Sequence, residues 1–265
     1  MSIFDRLAAA LRADEPVALV TRLDGAHAGA KLLVTVAEEL GDLGTPGLNV
    51  AASGEARALL AVGEHAVRTF GEDGEPVGVD VRLFIAAYAP KPVMYVFGAI
   101  DFSRAMARIG KYLGYHVTVV DARPVFATKA RVPDADEVVV AWPDEFLAKA
   151  HVDERTALII LTHDVKFDVP VLQAAFRTNA GYIGAMGSRR THANRVEELR
   201  RAGVSEADLA RISAPIGLDI GARTPEETAI SIAAEIVALR ENRRGGRLSE
   251  GELPVHNTRA PAPIA

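Results

Sequence analysis

The sequence contains no cysteine among its 265 residues. Disulfides, thiolate nucleophiles and thiolate metal sites are therefore excluded, and so is a persulfide carried on this chain's own sulfur. The sequence also lacks any run of about 18 apolar residues, so we expect no transmembrane helix. Residues 1–6 carry an early acid and no apolar segment, which is atypical of a secretory signal. We therefore expect a cytoplasmic protein.

An excess of positive charge is missing as well. Thirty Lys and Arg residues stand against thirty-five Asp and Glu residues, for a net charge of −5. This balance argues against a nucleic-acid binder or a protein that binds anionic membranes, because both need a basic face. Hydrophobic residues make up 49% and charged residues 25%, which is typical of a folded globular protein.

The pattern after Pro92 predicts a parallel sheet. Short apolar runs alternate with amphipathic segments, and strands that are apolar on both faces are covered by helices on both sides. We therefore predict a Rossmann-like domain. Its strands are predicted at Val93–Phe97, Val117–Val120, Val138–Ala141, Leu158–Leu161 and Tyr182–Ile183, with helices around 102–113, 168–178 and 190–202.

The region before Pro92 has a weaker pattern and predicts a small α/β domain. The break at Ala89-Pro90-Lys91-Pro92 divides the chain into a first domain over 1–89, a Rossmann-like domain over 90–245 and a flexible tail over 246–265. Within the first domain we predict helices at Ile3–Leu11 and Gly54–Arg68, the latter capped by Ser53, and strands at Val17–Leu23, Lys31–Val36 and Val77–Ile85.

One further helix carries a strong start signal. Thr224-Pro225-Glu226-Glu227 places Thr at the N-cap, Pro at the first helical position and Glu at the third, which is a capping box. Apolar residues then repeat at helical spacing, so we predict a helix that ends near Arg240.

The turn after Val93–Phe97 has the position of a dinucleotide site. Gly98-Ala99-Ile100-Asp101 follows the strand, and Asp121 lies where such folds hold the ribose hydroxyls. Ile100 replaces the glycine that lets the backbone approach a pyrophosphate, and Asp101 adds an anion at the helix start. The alternatives are a phosphate-binding turn, or a plain turn with Asp101 as the N-cap. Asp121 either lines a ligand cleft or pairs with Arg123.

The ends of two later strands are densely polar. Thr162-His163-Asp164 follows one strand, and Gly187-Ser188-Arg189-Arg190 follows the next and opens a helix. Glycine permits close approach of the backbone, a helix N-terminus presents free N–H groups, and two guanidinium groups supply forked donors. This turn is a candidate anion site, and a phosphate on a small ligand would suit it. The alternative is a pair of solvated arginines.

Several neighbouring residues allow two interpretations each. His163 is either a ligand contact or a histidine that fixes its own loop through backbone hydrogen bonds. Asp164 is placed to orient His163, and Asp168 is placed to cap the following helix. Asp219, in the loop before Thr224, is suited to binding either a ligand or loop amides.

Three segments together resemble the xanthine dehydrogenase accessory factor family, of the XdhC/CoxI type. They are Thr162-His163-Asp164, then Tyr182-Ile183-Gly184-Ala185-Met186-Gly187-Ser188-Arg189-Arg190, then Pro215-Ile216-Gly217-Leu218-Asp219-Ile220-Gly221 with the Thr224 capping box. Their order and spacing match across roughly residues 93–245. Members of this family usually have a Gly-x-Gly-His turn at the position of Gly98. They also have amino-terminal Gly-Ser-x-Pro-Arg and Gly-Gly-Cys-x-Glu segments, of which Ala52-Ser53-Gly54-Glu55 keeps one Gly and the Glu.

The resemblance implies a maturation factor that binds molybdenum cofactor. Such a protein would help insert the cofactor into a xanthine dehydrogenase or a carbon monoxide dehydrogenase-like molybdoenzyme, acting by binding and delivery rather than by turnover. A cysteine desulfurase and a second copy of the chain are further expected partners. The candidate cofactor-binding residues are Gly98, Asp121, Thr162, His163, Asp164, Gly187, Ser188, Arg189, Arg190 and Asp219.

Two other functions stay open at this point. An NAD(P)-dependent oxidoreductase would fit the Rossmann-like pattern and Asp121, although Ile100 opposes it and we expect NAD(P) binding to be weak. A degenerate family member that acts only by binding its protein partner would fit the lost amino-terminal motifs.

Overall fold

The computed structural model describes residues 2–76, 80–162 and 165–250, and the chain divides into two units between Pro90 and Lys91. Within the described ranges no helix has the length and apolar character needed to cross a membrane. A single 3₁₀ turn occupies Leu248–Glu250. The rest of the predicted tail, residues 251–265, lies outside the described residues.

The first unit is built on a five-stranded antiparallel sheet. Two helices accompany it, and apolar side chains of each helix pack against the sheet. The strands are β1 (Val17–Arg22), β2 (Lys31–Thr35), β3 (Glu39–Asp42), β4 (Ala66–Phe70) and β5 (Val81–Tyr88), in the spatial order β3-β2-β1-β5-β4, and the helices are α1 (Ile3–Arg12) and α2 (Pro46–Val62). The short strand β3 was not predicted.

The prediction of a helix over Gly54–Arg68 with Ser53 as its cap was wrong. Helix α2 begins eight residues earlier, at Pro46, and the Thr45 hydroxyl caps it by accepting a hydrogen bond from a first-turn amide. Ser53 is buried inside this helix. Gly47 weakens the helical pattern in the sequence, yet it is needed there. A Cβ at that position would lie 2.1 Å from a carbonyl oxygen of the neighbouring turn.

The second unit contains the predicted parallel sheet. All six strands run in the same direction, and their spatial order corresponds to 3-2-1-4-5-6 in sequence order, the Rossmann arrangement. They are β6 (Val93–Phe97), β7 (His116–Asp121), β8 (Glu137–Val140), β9 (Ala157–Ile160), β10 (Tyr182–Ala185) and β11 (Ile212–Ser213), in the order β8-β7-β6-β9-β10-β11.

Helices cover both faces of this sheet. They are α3 (Asp101–Tyr112), α4 (Pro143–Leu147), α5 (Val165–Phe176), α6 (Arg189–Arg201), α7 (Glu206–Leu209) and α8 (Pro225–Arg240). Because side chains alternate along a strand, Met94 and Val96 of β6 join the core under α3 and α8. Tyr95 and Phe97 join the core under α4, α5 and α6. The short elements α4, α7 and β11 have too few residues for a recognisable period and were not predicted.

Helix α8 begins as predicted. The Thr224 hydroxyl accepts a hydrogen bond of 3.2 Å from the Glu227 amide, and the Glu227 carboxylate accepts one of 3.1 Å from the Thr224 amide. This is the complete capping box. The same carboxylate also accepts a bond of 2.7 Å from the Arg223 amide, so the loop before the helix is fixed to the first turn.

Candidate functional site

The candidate site lies at the carboxyl edge of the parallel sheet. Strands β6 and β9 are neighbours, but the chain leaves β6 for α3 on one face and β9 for α5 on the other. This divergence opens a crevice where ligands bind in folds of this kind. Gly98 directly follows β6, and Thr162 is the second residue after β9. The two lie close together, because a Cβ on Gly98 would come within 2.9 Å of the Thr162 Cγ2.

The turn after β6 uses its own backbone N–H groups. Gly98 has a φ of +104° and donates to the Val120 carbonyl oxygen at 2.8 Å. Ala99 donates to the Asp121 carboxylate at 2.7 Å, and Ile100 donates to the Ser103 hydroxyl at 3.2 Å. Three consecutive amides are therefore unavailable to a phosphate.

Asp101 is not the N-cap of α3, as one interpretation of the sequence required. Ile100 occupies the cap position and makes no side-chain capping bond, while Asp101 is the exposed first residue of the helix. Ser103 takes over the capping function, because its hydroxyl accepts from the Ile100 amide and donates to the Gly98 carbonyl oxygen.

Asp121 is fully engaged by protein groups. Its carboxylate is 4% exposed and accepts bonds of 2.9 and 2.8 Å from the Arg123 guanidinium, in addition to bonds from the amides of Ala99 and Arg123. Burial alone would raise the pKa of Asp121, but these hydrogen bonds lower it below its usual value. Of the two interpretations of Asp121, the pairing with Arg123 is the one that is present.

The turn after β10 has the opposite character. Gly187 has a φ of +145°, and the Ser188 hydroxyl caps α6 by accepting a bond of 3.1 Å from the Thr191 amide. Among the described residues, no group accepts a hydrogen bond from the backbone N–H of residues 187 to 190. Arg189 and Arg190 are exposed at the first two helical positions, without an ion-pair partner in the described ranges. Four amides and two guanidinium groups are therefore available here to an anion.

A buried ion pair lies beneath this turn. Arg195 and Asp168 are each 1% exposed, and the Arg195 guanidinium donates to the Asp168 Oδ2 from Nη2 at 2.6 Å and from Nε at 3.2 Å. Nη2 also donates to the Met186 carbonyl oxygen at 2.7 Å. The other carboxylate oxygen of Asp168 accepts a bond of 2.5 Å from the Thr162 hydroxyl. Asp168 thus lies inside α5 and does not cap it, which corrects the sequence interpretation.

Two polar atoms on the inner side of α6 have no partner among the described residues. They are Nη1 of Arg195 and Nδ1 of His192, which lie one turn apart on the helix. Burial, and then the charge of Arg195, lower the pKa of His192 below its usual value, which favours the neutral imidazole. Buried donors without a partner are uncommon in folded proteins and often mark sites that something outside the chain completes.

The loop before α8 is anchored to that helix. The Glu235 carboxylate accepts bonds from the Gly217 amide, at 2.9 Å, and from the Tyr182 hydroxyl. The Ser231 hydroxyl donates to the Leu218 carbonyl oxygen. Asp219 is exposed and makes no hydrogen bond to loop amides within the described part of the chain. Asp219 follows β11 in the chain, and β11 is the edge strand that pairs with β10.

A separate groove lies between α3 and α8. It has a volume of about 950 Å³ and is lined mainly by apolar side chains, with Ile109 and Tyr112 on one helix and Pro225 and Ile230 on the other. Ile100 and Asp101 stand among its lining residues, but Thr162 and the Gly187 turn do not. This groove is therefore separate from the candidate anion site.

Several of the sequence-predicted residues are linked by short contacts. Gly98 approaches Thr162, Thr162 binds Asp168, and Asp168 binds Arg195 beneath the Gly187 turn. His163 and Asp164 lie outside the described residues. No group of three or more potential metal ligands occurs in the ranges that the structure describes.

Sequence reasoning missed Arg195, His192 and the role of Ser103. A signal for Arg195 was present, because it lies four residues before Leu199 and therefore on the same face of α6. Leu199 is fully buried. A charged residue on the buried face of a helix requires a partner, and Asp168 in the preceding helix α5 is the carboxylate that provides it.

Glu55, which the resemblance associates with the amino-terminal motif, lies in the middle of α2. Its carboxylate pairs with Arg68 at 2.5 Å, and the Glu55 side chain is 17% exposed. It is therefore not a first-turn acid, because the helix starts at Pro46. In the same unit, the loop after β1 is held by the buried Arg22, whose guanidinium binds the Asp24 and Leu43 carbonyl oxygens.

Comparison with known proteins gives three related sequences. A probable xanthine dehydrogenase subunit of Bacillus subtilis is 33% identical over 160 residues, which is 60% of this chain and 46% of that protein. The molybdenum cofactor insertion chaperone PaoD of Escherichia coli is 29% identical over 163 residues, 62% of this chain and 45% of that protein. The uncharacterised Escherichia coli protein YqeB is 29% identical over 181 residues, 68% of this chain and 33% of that protein. The chain thus spans less than half the length of each of these relatives.

A solved structure supports the fold over nearly the whole chain. The crystal structure described as a xanthine dehydrogenase from Bacillus halodurans superposes with a TM-score of 0.54 at 20% identity, covering 95% of this chain and 98% of that one. At this identity the likeness concerns the fold alone. The family model for the XdhC Rossmann domain matches residues 94–236. This match covers more than half of the 265 residues and confirms the resemblance, so the chain belongs to the XdhC family.

Proposed function

We propose that this protein binds molybdenum cofactor and helps insert it into a molybdoenzyme of the xanthine dehydrogenase or carbon monoxide dehydrogenase type. The observation that carries the proposal is the turn at residues 187–190, whose backbone amides have no acceptor in the described part of the chain and which carries two exposed arginines. A relative over the same region is named as a molybdenum cofactor insertion chaperone, which supports the same role.

The chemistry of the turn fits the anionic end of such a cofactor. A phosphate at a helix N-terminus accepts hydrogen bonds from free amides and is favoured by the helix dipole. In the proposal, the amides of Gly187 and Ser188 hold the phosphate and the guanidinium groups of Arg189 and Arg190 grip it. Arginines at a helix start oppose the dipole, so an anion bound between them would relieve a local cost.

The remaining predicted residues line the proposed site along the strand ends. Thr162 is fixed by Asp168 at the end of β9, and Asp219 lies beyond β11. We assign His163 and Asp164 to the same cleft as ligand contacts. We place Gly98 and Asp121 at its far side. The Gly98 amide already donates to Val120, and the Asp121 carboxylate already accepts from Ala99 and Arg123, so neither group is free for a ligand.

The proposed role is delivery rather than turnover. The partner is the receiving molybdoenzyme, and delivery to it places the protein in the cytoplasm. Because the chain has no cysteine, sulfur for the cofactor would come from a separate protein, for which we propose a cysteine desulfurase. We also propose that the protein forms a homodimer. We further propose that its first unit is a degenerate form of the XdhC/CoxI-type amino-terminal domain.

Removing both arginines tests the proposal directly. We expect Arg189→Ala with Arg190→Ala to weaken binding of molybdenum cofactor, released anaerobically from a molybdoenzyme, by at least tenfold. That loss corresponds to about 1.4 kcal/mol. The denaturant midpoint should hardly change, because exposed charges contribute little to folding stability.

The matched control is Arg200→Ala with Arg201→Ala at the other end of α6. It removes the same charge, and both of its arginines are exposed and paired with glutamates. This variant should bind cofactor like the unmodified protein. Equal binding by both double variants would place the anion elsewhere. Equal loss in both would indicate nonspecific attraction rather than a local site. Full complementation of the partner enzyme without any cofactor binding would favour a role confined to partner binding.

A further inference from the structure

The Arg195–Asp168 pair connects the two loops of the proposed site. Arg195 binds the carbonyl oxygen of Met186, directly before the Gly187 turn, and Asp168 binds the hydroxyl of Thr162 at the end of β9. The guanidinium lies directly under the turn, since a Cβ on Gly187 would lie 3.6 Å from its Nη2. One buried pair therefore contacts both strand ends at which the ligand is proposed to bind.

A pair of this kind is poorly explained by stability alone. Burying two charges costs more desolvation than the pair commonly regains, and apolar residues of similar size are often as stable. The pair also leaves Nη1 of Arg195 without a partner among the described residues, which adds to the cost. The pair supplies a fixed geometry, because the planar guanidinium holds the Asp168 carboxylate and the Met186 carbonyl oxygen at set positions through its Nε and Nη2 atoms.

We propose that Arg195 and Asp168 are positioning residues that hold the Met186–Gly187 turn and Thr162 in the arrangement that binds the anionic ligand. This inference rests on the proposed function for the identity of the ligand. Asp168 neutralises Arg195 within the pair, so the pair sets the shape of the site while Arg189 and Arg190 provide its net positive charge.

The test separates positioning from simple stabilisation. Arg195→Met and Asp168→Leu alone each leave one buried charge unpaired and should lower the denaturant midpoint strongly. The double variant Arg195→Met with Asp168→Leu removes both charges and should recover most of that midpoint. We expect this recovered double variant still to bind the released molybdenum cofactor at least tenfold more weakly than the unmodified protein.

A second readout does not depend on the ligand. Amide hydrogen exchange at Met186, Thr191 and His192, whose N–H groups are hydrogen-bonded on the two sides of the Gly187 turn, should be at least tenfold faster in the double variant, because Arg195 no longer holds the Met186 carbonyl oxygen. Exchange near Phe176 and Thr178, at the other end of α5, should not change. Arg211→Met is the control variant, since Arg211 binds the carbonyl oxygens of Phe176 and Thr178. It should alter exchange there and leave cofactor affinity intact.

The outcomes distinguish this inference from the proposed function. If the double variant recovers both stability and affinity and its exchange at Met186, Thr191 and His192 equals that of the unmodified protein, the pair is only structural and the inference is overturned. If the unmodified protein does not bind cofactor at all, the proposed function fails. The exchange measurement then decides the positioning role on its own: faster exchange at Met186, Thr191 and His192 supports it, and unchanged exchange overturns it.

Discussion

Two turns at the same edge of the parallel sheet have a similar backbone but differ in whether their N–H groups are hydrogen-bonded within the protein. The turns after β6 and β10 each have a glycine at positive φ, Gly98 and Gly187, and each leads into a helix. In the first, three amides are bound by protein acceptors and an acidic residue starts the helix. In the second, none of the four amides from Gly187 onward has an acceptor among the described residues, and two arginines start the helix.

The difference shows that backbone shape alone does not make an anion site. A glycine turn before a helix is necessary for close approach, but the N–H groups must also be free. In the first turn the buried Asp121 occupies the place of the anion by accepting from Ala99. The turn that the Rossmann fold usually uses for a phosphate therefore has no free amide at Gly98, Ala99 or Ile100. The turn two strands away, roughly 10 Å along the sheet, has four amides without an acceptor among the described residues.

The largest effects on stability and on cofactor affinity are expected when the glycine of either turn is replaced by alanine. Gly187→Ala and Gly98→Ala both place a side chain at positive φ, and we expect each to cost about 1–3 kcal/mol in the free energy of unfolding. Cofactor affinity should fall at least tenfold in Gly187→Ala, because the new Cβ would lie 3.1 Å from Thr191, whose amide binds the Ser188 cap. Denaturant titration and cofactor titration measure the two effects.

The affinity loss in Gly98→Ala should be several times smaller. Its new Cβ would touch the Thr162 Cγ2, so the effect would reach the site only through Thr162. A larger affinity loss in Gly98→Ala than in Gly187→Ala would reverse the assignment of the two turns.

A smaller effect is expected when the internal anion of the first turn is neutralised. Asp121→Asn should cost about 1 kcal/mol at neutral pH, since Arg123 loses its charged partner. The pKa of Asp121 is lowered in the folded protein, so its contribution to stability is complete above the unfolded value of 3.8 and is lost as the pH falls through the folded value. The variant should therefore show a shallower loss of stability below pH 3.8. Identical acid denaturation profiles would contradict the role assigned to this carboxylate.

The smallest signal is expected from the titration of the protein with nicotinamide cofactors. Titration calorimetry with NAD⁺ and with NADPH should detect weak binding or none, because the first turn has no free amide at Gly98, Ala99 or Ile100. Asp101, exposed at the start of α3, repels a pyrophosphate as well. A dissociation constant in the low micromolar range for either compound would show that the first turn opens in solution.

The sequence predicted the parallel sheet well because its signals are local. Apolar runs such as Val93–Phe97 coincide with β6, and the Thr224 capping box starts α8 at the predicted residue. Where local signals conflict, the prediction failed. Helix α2 contains glycine near its start, and that glycine is required by a neighbouring turn that is distant in sequence.

The candidate site was predicted only in part, for the same reason. Glycine, serine and arginine at a helix start are recognisable from spacing, and the structure leaves their donors available. The pairing of Asp121 with Arg123 was one of two interpretations that the sequence left open. The partner of Asp168 was missed, because Arg195 is 27 residues from Asp168 and meets it only when α5 and α6 pack together. Which amides are free is a property of tertiary structure rather than of a motif.

The packing of α3 against α8 has a consequence for how the protein is made. These are the first and last long helices of the Rossmann unit, and Met106 and Ala107 share their core with Ile232 and Ile236. During synthesis, at about 5–20 residues per second, the inner face of α3 waits on the order of ten seconds for α8 to emerge from the ribosome. Throughout that interval an apolar helix face is uncovered on the nascent chain. We therefore expect α3 to be the segment of this unit that depends most on chaperone protection before release.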